Sequence, residues 1–265
     1  MCIVDLRDRE GLRELVKTAQ LAGQLHKTVR APFGHTVMTL QCLDAVVEGP
    51  RGFHWRADVP SELVWAEALD GGDPRTAATA RDRVRSLPDP LEEPRTLLDL
   101  EHRYAGIHWG RGDFAIVYSR WWSSRTERRF AFQPDHPELP LRLLVERSYQ
   151  NAYDDPGWPL TLRDPAGRPV LQFGEDGRSI FLAGDGASPR GSHPFLDRVD
   201  IATGDSTRLW QCAEGTYEQV VALLDPADTR LLTRYESPVD PPNYRIRRAG
   251  EKTALAITRF PDPAP

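Results

Sequence analysis

Cysteine is scarce in this sequence of 265 residues, which contains only Cys2, Cys42 and Cys212. Because they are odd in number and far apart, they fit neither a disulfide framework nor the spacing of a zinc site. We expect free thiols, which suit a reducing compartment. The seven histidines show no H-x-x-x-H or H-E-x-x-H spacing, so no helix-borne zinc site is predicted. The sequence therefore predicts no metal-binding residue.

Long apolar runs are also missing. No stretch approaches the ~20 apolar residues that cross a bilayer, so a membrane is not a predicted partner. The N-terminal residues MCIVDLRDREGLREL lack the basic and then apolar order of a signal peptide. This absence favours a cytoplasmic location for the chain.

Lysine is rare, since Lys17, Lys27 and Lys252 are the only lysines among 34 basic residues. The arginines that make up the rest alternate with acidic residues and form no basic block, and the net charge is -5. Nucleic-acid binding requires a basic patch or stripe. Nucleic acid is therefore not a predicted partner.

The sequence signatures of catalysis and of cofactor binding are absent from these 265 residues. No G-x-S-x-G pentapeptide occurs, and Gly184-Asp185-Gly186 lacks the third glycine and the helix of a dinucleotide-binding loop. Gly204-Asp205-Ser206 falls in a predicted hairpin turn, where serine is common. We therefore predict no catalytic residue, no cofactor-binding residue and no cofactor.

What the sequence does contain is a dense pattern of short strands, clearest between Tyr104 and Arg147. Four strands are predicted there, with the sequences YAGIHW, DFAIVYS, RRFAFQ and LRLLVE. The second is apolar at every position from Phe114 to Tyr118, which indicates burial on both faces. A four-stranded antiparallel sheet pressed between two others is one blade of a β-propeller.

The same unit recurs along the chain. Apolar second strands begin near Leu63, Phe114, Ile180 and Leu231, at steps of roughly 50–65 residues, which fit propeller repeats with loop insertions. We predict an all-β fold, a partial β-propeller of about four four-stranded antiparallel blades over residues 51–262. A two-layer β-sandwich is the alternative, because regularly spaced strands occur in other all-β proteins too.

Two further parts of the chain carry specific predictions. In the third blade we expect the strands PVLQF, SIFLAG, FLDRVDI and STRLWQC, with a tight hairpin at Asp200–Gly204. Residues 1–50 differ from the blades. Helical spacing of apolar residues predicts an amphipathic helix from Asp8 to Val29, and His35–Glu48 is ambiguous but favours a strand. Residues 263–265 are interpreted as the start of an interdomain linker.

Five stretches of the chain form a distinctive series: WRADVPSELVWAEALDGGDP, ARDRV, LEHRYAGIHWG, FLAGDGASPRGSHPFLDRVDIATG and ESPVDPPNY. Together they resemble the propeller domain of the prolyl oligopeptidase family of serine peptidases, most closely its glutamyl-endopeptidase-like branch. The resemblance covers residues 53–263 and implies a propeller that caps an α/β-hydrolase domain and restricts access to peptide-sized substrates. Residues 1–50 do not match the upstream blades of a seven-bladed ring, and the family's serine, aspartate and histidine are not found here.

These observations lead to three functional hypotheses. The first is a non-catalytic propeller portion of such a peptidase, which gates peptide access to a hydrolase domain that this chain lacks. Its expected partners are that hydrolase domain and peptide substrates. The second is a free-standing propeller that binds proteins, and the third is a carbohydrate-active propeller, which needs paired carboxylates across a central pocket.

A few residues were considered for a role in chemistry or binding. The aspartates Asp58, Asp113, Asp176 and Asp228 occupy equivalent turns, where a structural role is as expected as a catalytic pair. Glu92-Glu93 resembles an acidic pair that holds a substrate amino terminus in some relatives, but a solvated turn is preferred. His54-Trp55 and His108-Trp109 sit at matching places in two blades, which favours packing near the propeller axis. Trp121-Trp122 is interpreted as covering a blade edge.

Overall fold

The computed structural model describes residues 25–30, 36–40, 44–88, 93–227 and 229–262. Strand β1 (Leu25–Arg30) pairs antiparallel with β2 (Thr36–Leu40). The predicted helix is therefore wrong over residues 25–29, where the β-branched Thr28 and Val29 favour a strand, and its residues 8–24 lie outside the described residues. The strand predicted within His35–Glu48 is confirmed at Thr36–Leu40.

Four four-stranded antiparallel sheets follow one another along the chain, as the all-β propeller prediction requires. The first blade consists of β3 to β6, at Arg51–Trp55, Leu63–Ala68, Asp82–Leu87 and Arg95–Leu100. The second consists of β7 to β10, at Arg103–Trp109, Ala115–Trp121, Thr126–Phe132 and Arg142–Ser148. Each strand pairs with the next in sequence, so each blade is a simple meander.

The third blade departs from this plan at its first strand. Strand β11 (Trp158–Pro159) occupies that place, and β12 (Thr161–Arg163) and β13 (Pro169–Leu171) form a separate hairpin. The prediction of PVLQF as the first strand was therefore wrong for residues 169–171. The turn of this hairpin needs a positive φ, and Gly167 supplies it at +80°.

The other three predicted strands of the third blade are observed, and the second strand of the fourth blade begins next to the predicted Leu231. The third blade continues with β14 (Ser179–Gly184), a small hairpin of β15 (Ala187–Ser188) and β16 (Gly191–Ser192), and then β17 (Phe195–Asp200) and β18 (Ser206–Gln211). The fourth consists of β19 to β22, at Tyr217–Asp225, Arg230–Glu236, Asn243–Arg248 and Ala254–Ala256. The hairpin turn predicted at Asp200–Gly204 is confirmed, because the carboxylate of Asp200 accepts hydrogen bonds from the amides of Ala202 and Thr203.

Three hydrophobic cores lie between successive blades. The first core contains Val64 and Val84 of the first blade against Ala115 and Val117 of the second. The second contains Phe114, Ile116 and Tyr118 of the second blade against Leu171 and Ile180 of the third. The third joins the third blade to the fourth and contains the following buried side chains: Phe181, Leu196, Trp210, Cys212, Leu223 and Leu231. Sheets packed face to face in a series are the architecture of a partial propeller rather than a two-layer sandwich.

Strand β8 shows why its sequence has no alternation. Ile116 and Tyr118 face the second core, as does Phe114 just before the strand, whereas Ala115 and Val117 face the first. Both faces of the strand are therefore buried, as the run of apolar residues predicted.

Candidate functional site

The first strands of neighbouring blades lie side by side, and their aromatic rings contact each other. His54 of β3 stacks on Tyr104 of β7, with ring centroids 6.2 Å apart and planes inclined by 10°. His108 of β7 in turn lies 6.3 Å from the ring of Trp158 in β11. Because the blades of a propeller surround a central channel, we identify these adjoining first strands as the inner edge of the blades.

A cavity of about 630 Å³ opens at this inner edge, and we name it the axial pocket. Three parts of the fold form it: the end of β3 with the turn that follows, the end of β7, and the hairpin β12–β13. Its lining residues are His54, Trp55, Ala57, Pro60, Ser61, Ile107, His108, Trp109, Thr161, Arg168 and Pro169. Apolar and aromatic side chains with a few polar groups are the usual lining of a ligand-binding cavity.

The aromatic wall of the pocket is held in place mainly by ring packing. Trp109 is buried, and the centre of its ring lies 6.1 Å from the ring centres of both His54 and Phe132. His54 is oriented by the carbonyl of Gly52, 2.9 Å from its Nδ1 atom. By contrast, 62% of Trp55 is exposed, at the very end of β3. The pocket thus combines a rigid buried wall with one tryptophan that is free to contact a ligand.

His108 is a half-buried titratable group of this wall. Its ring packs edge-on against Tyr118, with centroids 5.1 Å apart. Burial, and secondarily the charge of Arg129, lower the pKa of His108 below its ordinary value of 6.5. Burial likewise raises the pKa of Tyr104 above its ordinary value of 10.0. Near pH 7 both rings are uncharged, so this side of the pocket is apolar.

A buried arginine anchors the turn between β3 and β4. Only 1% of Arg56 is exposed, and its guanidinium donates hydrogen bonds to Asp58, Glu62 and Asp135 at 2.8–3.0 Å. Its guanidinium carbon also lies 5.4 Å from the centre of the Trp109 ring. Burial by itself lowers the pKa of Arg56, but the carboxylates of Asp58 and its neighbours outweigh burial and raise it. The turn carrying Ala57, Pro60 and Ser61 is therefore fixed against the second blade.

Arg168 fixes the opposite side of the pocket. Its Nε and Nη2 atoms donate to one carboxylate oxygen of Asp164 at 2.9 and 2.7 Å, and its Nη1 atom donates to the carbonyl of Val59 in the first blade. Hydrogen bonds from the Arg168 amide and then from its side chain hold the pKa of Asp164 below its ordinary value. One arginine thus connects the third blade to the first across the pocket.

Exposed apolar side chains continue along the inner edge beyond the pocket. Large exposed hydrophobic residues on first strands outside the pocket are Phe53, Trp158, Val221 and Leu224, from three of the four blades. An apolar surface of this kind often marks a site of interaction with another molecule.

The turn aspartates have structural partners. Asp113 accepts a hydrogen bond from the amide of Asp135 at 2.7 Å, and Asp58 is paired with Arg56. Asp176 accepts from the amides of Arg178 and Ser179, which lower its pKa. Asp228 and Glu92 lie outside the described residues. In the part of the chain that the structure describes, these carboxylates cap turns or bind arginine, which is not the arrangement of a glycosidase pair.

The remaining candidates lie away from the pocket. Trp121 stacks on His102 with centroids 5.9 Å apart, and Trp122 lies 3.8 Å from the guanidinium carbon of Arg125, so both pack at the far end of the second blade. Cys212 is a free buried thiol in the third core, and Cys2 and Cys42 lie outside the described residues.

The described residues offer neither a metal-binding cluster nor a membrane-spanning helix. They contain no cluster of three His, Cys, Asp or Glu residues that could hold a metal ion. They also contain no helix long and apolar enough to cross a membrane.

The sequence pointed to only part of this site. The pairs His54-Trp55 and His108-Trp109 line the same pocket, and His54 packs on Trp109 as their matching positions predicted, whereas Trp55 is exposed rather than packed. Nothing local distinguishes Pro60, Ile107 and Arg168 from other turn and strand residues, so the sequence does not predict them. Their roles depend on the hairpin crossing to the first blade, which is a long-range feature.

Comparison with known proteins identifies the relatives of the chain. No family model matches it. It is 37% identical over 236 residues to a probable chloroplastic glutamyl endopeptidase of Oryza sativa subsp. japonica, a match that covers 83% of this chain and 25% of the relative. It is 36% identical over 238 residues to the protein of the same description in Arabidopsis thaliana, covering 84% and 25%. The chain therefore spans about a quarter of the length of these curated relatives.

Solved structures with a similar fold include peptidases. One is a prolyl endopeptidase, at 8% identity and a TM-score of 0.46 over 81% of this chain and 30% of that one. Another is oligopeptidase B of Trypanosoma brucei, at 12% identity and a TM-score of 0.41 over 92% and 41%. At these identities and TM-scores the likeness carries no conclusion about function.

The blades and the sequence relatives together support one class: the chain is similar to a β-propeller region of the prolyl oligopeptidase family. Both sequence relatives carry the name glutamyl endopeptidase, so the likeness is to that branch.

Proposed function

We propose that this chain is a non-catalytic propeller portion of a prolyl oligopeptidase-like serine peptidase, and that it gates the access of peptides to a hydrolase domain. The observation that carries the proposal is the axial pocket, an aromatic cavity at the inner edge of the blades with Trp55 exposed in it. The relatives are named as glutamyl endopeptidases, so a peptide containing glutamate is the natural probe.

The chemistry of the pocket suits an extended peptide. Trp55 and Ile107 offer apolar contact area, and the uncharged ring of His108 adds no strong charge. Ser61 and Thr161 provide hydroxyl groups that can bond to a peptide backbone. Such a surface holds peptides with little regard to their sequence, which fits a passage through which many substrates travel.

A binding experiment tests the role of the pocket. Fluorescence anisotropy of a labelled glutamate-containing peptide is measured with the 265-residue chain, with Trp55→Ala and with Leu255→Ala. We expect Trp55→Ala to weaken binding about tenfold, because truncating an aromatic anchor costs about 1–2 kcal/mol. Leu255 is equally exposed but lies on the outer strand β22, so its variant should bind like the parent. Equal affinities for all three proteins would contradict the proposal.

A cleavage assay tests the non-catalytic part. The chain should not cleave the same peptide, because none of its 265 residues forms a G-x-S-x-G nucleophile motif. Cleavage of a bond after glutamate that a serine-directed inhibitor abolishes would overturn this part of the proposal.

The two other hypotheses have less support. A carbohydrate-active site needs two available carboxylates, and the described turn aspartates are held by arginines and amides. A free-standing protein-binding propeller remains compatible with the exposed inner edge, but the sequence relatives favour a peptidase.

A further inference from the structure

The hairpin β12–β13 interrupts the first strand of the third blade. The amide of Leu160 donates to the carbonyl of Phe181 on β14, and Phe173 forms a bridge to Ile180 on the same strand. The amide of Gln172 donates to the carbonyl of Leu160 at 2.9 Å, which closes the base of the excursion. Residues 161–171 therefore leave the inner edge of the blade and return to it.

The base of this hairpin is tightly held. Val170 is 3% exposed in the first core, and Leu171 is 1% exposed in the second. The side-chain amide of Gln172 donates to the carbonyl of Leu223 in the fourth blade at 2.8 Å. The base thus contacts all the neighbouring blades, so a hinge motion cannot start there without opening two cores.

The tip is held differently. Residues 165–167 are exposed, and within the described part of the chain Arg168 makes the hydrogen bonds that join the hairpin to the first blade. These bonds reach the carbonyls of Val59 and Arg56. Even hydrogen bonds from a charged guanidinium contribute less free energy than a packed core, so such a connection opens more readily than a core.

We propose that this hairpin is a strap across the axial pocket and that Arg168 is its latch. When Arg168 releases the Val59 carbonyl, the tip lifts and the pocket widens, while Val170 and Leu171 keep the base in place. This inference rests on the proposed function, since it names the part that would control access. Arg168 acts by holding the hairpin against the first blade.

Hydrogen–deuterium exchange of the 265-residue chain tests the latch without a ligand. Arg168→Ala is compared with Arg163→Ala, which removes a neighbouring arginine whose hydrogen bond among the described residues goes to the carbonyl of Gly167 within the hairpin. We expect Arg168→Ala to speed exchange of the amides of Arg56, Asp164 and Gly167 about five- to tenfold. Arg163→Ala should change the exchange rate of the Arg56 amide by less than about twofold. Exchange in β8 should stay unchanged in both.

The outcomes separate the strap from the proposed function. Equal exchange at Arg56 in the two variants, or faster exchange throughout β8, would overturn the latch. If Arg168→Ala folds poorly, Arg168→Lys keeps one charged donor but loses the paired contact with Asp164. The Arg56 amide should then still exchange faster than in Arg163→Ala, by a smaller factor.

A labelled glutamate-containing peptide that fails to bind even the parent chain counts against the proposed function, whereas the exchange rates still decide the latch. If the peptide binds, Arg168→Ala should accelerate both its association and its dissociation, and unchanged rates would contradict the strap.

Discussion

Arg103 donates hydrogen bonds to both carboxylate oxygens of Asp70, at 2.9 and 2.8 Å. Arg103 begins the first strand of the second blade, and Asp70 follows β4 of the first blade, so the pair joins two blades at the end opposite the axial pocket. Both side chains are buried. Burial alone would raise the pKa of Asp70, but hydrogen bonds from Arg103 and Arg81 outweigh it and hold that pKa below its ordinary value.

Removing one member of this pair should destabilise the protein strongly. Arg103→Ala leaves the carboxylates of Asp70 and Asp82 buried with one partner fewer, and breaking a buried ion pair in this way costs about 3–5 kcal/mol. Denaturant unfolding measures the loss. The control is Arg83→Ala, which breaks the exposed pair with Asp99 and should cost at most about 1 kcal/mol. Similar losses of unfolding free energy in the two variants would show that the buried ion pair stabilises the protein no more than the exposed pair.

Stability should fall as the solution becomes mildly acidic. Burial lowers the pKa values of His102 and His108, so the folded state favours the neutral rings. Below the ordinary histidine pKa of 6.5 the unfolded chain binds protons that the folded chain does not, and the free energy of unfolding therefore decreases as pH falls. Denaturant midpoints at a series of pH values measure this slope. His108→Gln should make the slope shallower, and an unchanged slope would contradict the assignment.

The third core should be sensitive to loss of volume. Phe181 is 1% exposed between the third and fourth blades, so Phe181→Ala should cost about 3–5 kcal/mol in the free energy of unfolding. Leu255→Ala is the matched control, because Leu255 is 67% exposed and should cost no more than about 0.5 kcal/mol. Equal costs would mean that these two blades do not pack face to face.

Two glycines offer a test of backbone packing in the third blade. Both Gly186 and Gly204 have positive φ, at +57° and +81°. A Cβ atom on Gly186 would lie 2.1 Å from the carbonyl oxygen of His193, whereas a Cβ on Gly204 meets nothing within 4 Å. Gly204→Ala should therefore cost only the conformational strain, about 1–2 kcal/mol, and Gly186→Ala should cost clearly more. The thermal midpoints of the two variants compare them, and the reverse order would be inconsistent with the described turn.

The fold was predictable because each blade has a local signature. The doubly buried strand from Ala115 and the Asp200 turn follow from short-range rules of periodicity and turn chemistry. The second strands of the four blades begin within one residue of their predicted starts. Local pattern was misleading at Leu25–Val29, where helical spacing of apolar residues competes with pairing to a second strand.

The axial pocket was only partly predictable. The residues 169–171 look like any apolar strand, and nothing in their sequence shows that they pair with residues 161–163 instead of β14. The role of Arg168 depends on a contact with Val59, more than a hundred positions away. Contacts of this kind are decided by how the blades pack, which sequence pattern does not record.

Contact between peptides and the axial pocket is what we propose for this chain. Hydrogen–deuterium exchange of the chain with and without a saturating glutamate-containing peptide locates the contact directly. We expect slower exchange in residues 53–62, 105–109 and 161–169, with no change in the loops at 186–193 and 237–242. Protection confined to those two loops, or spread evenly over the four blades, would contradict it.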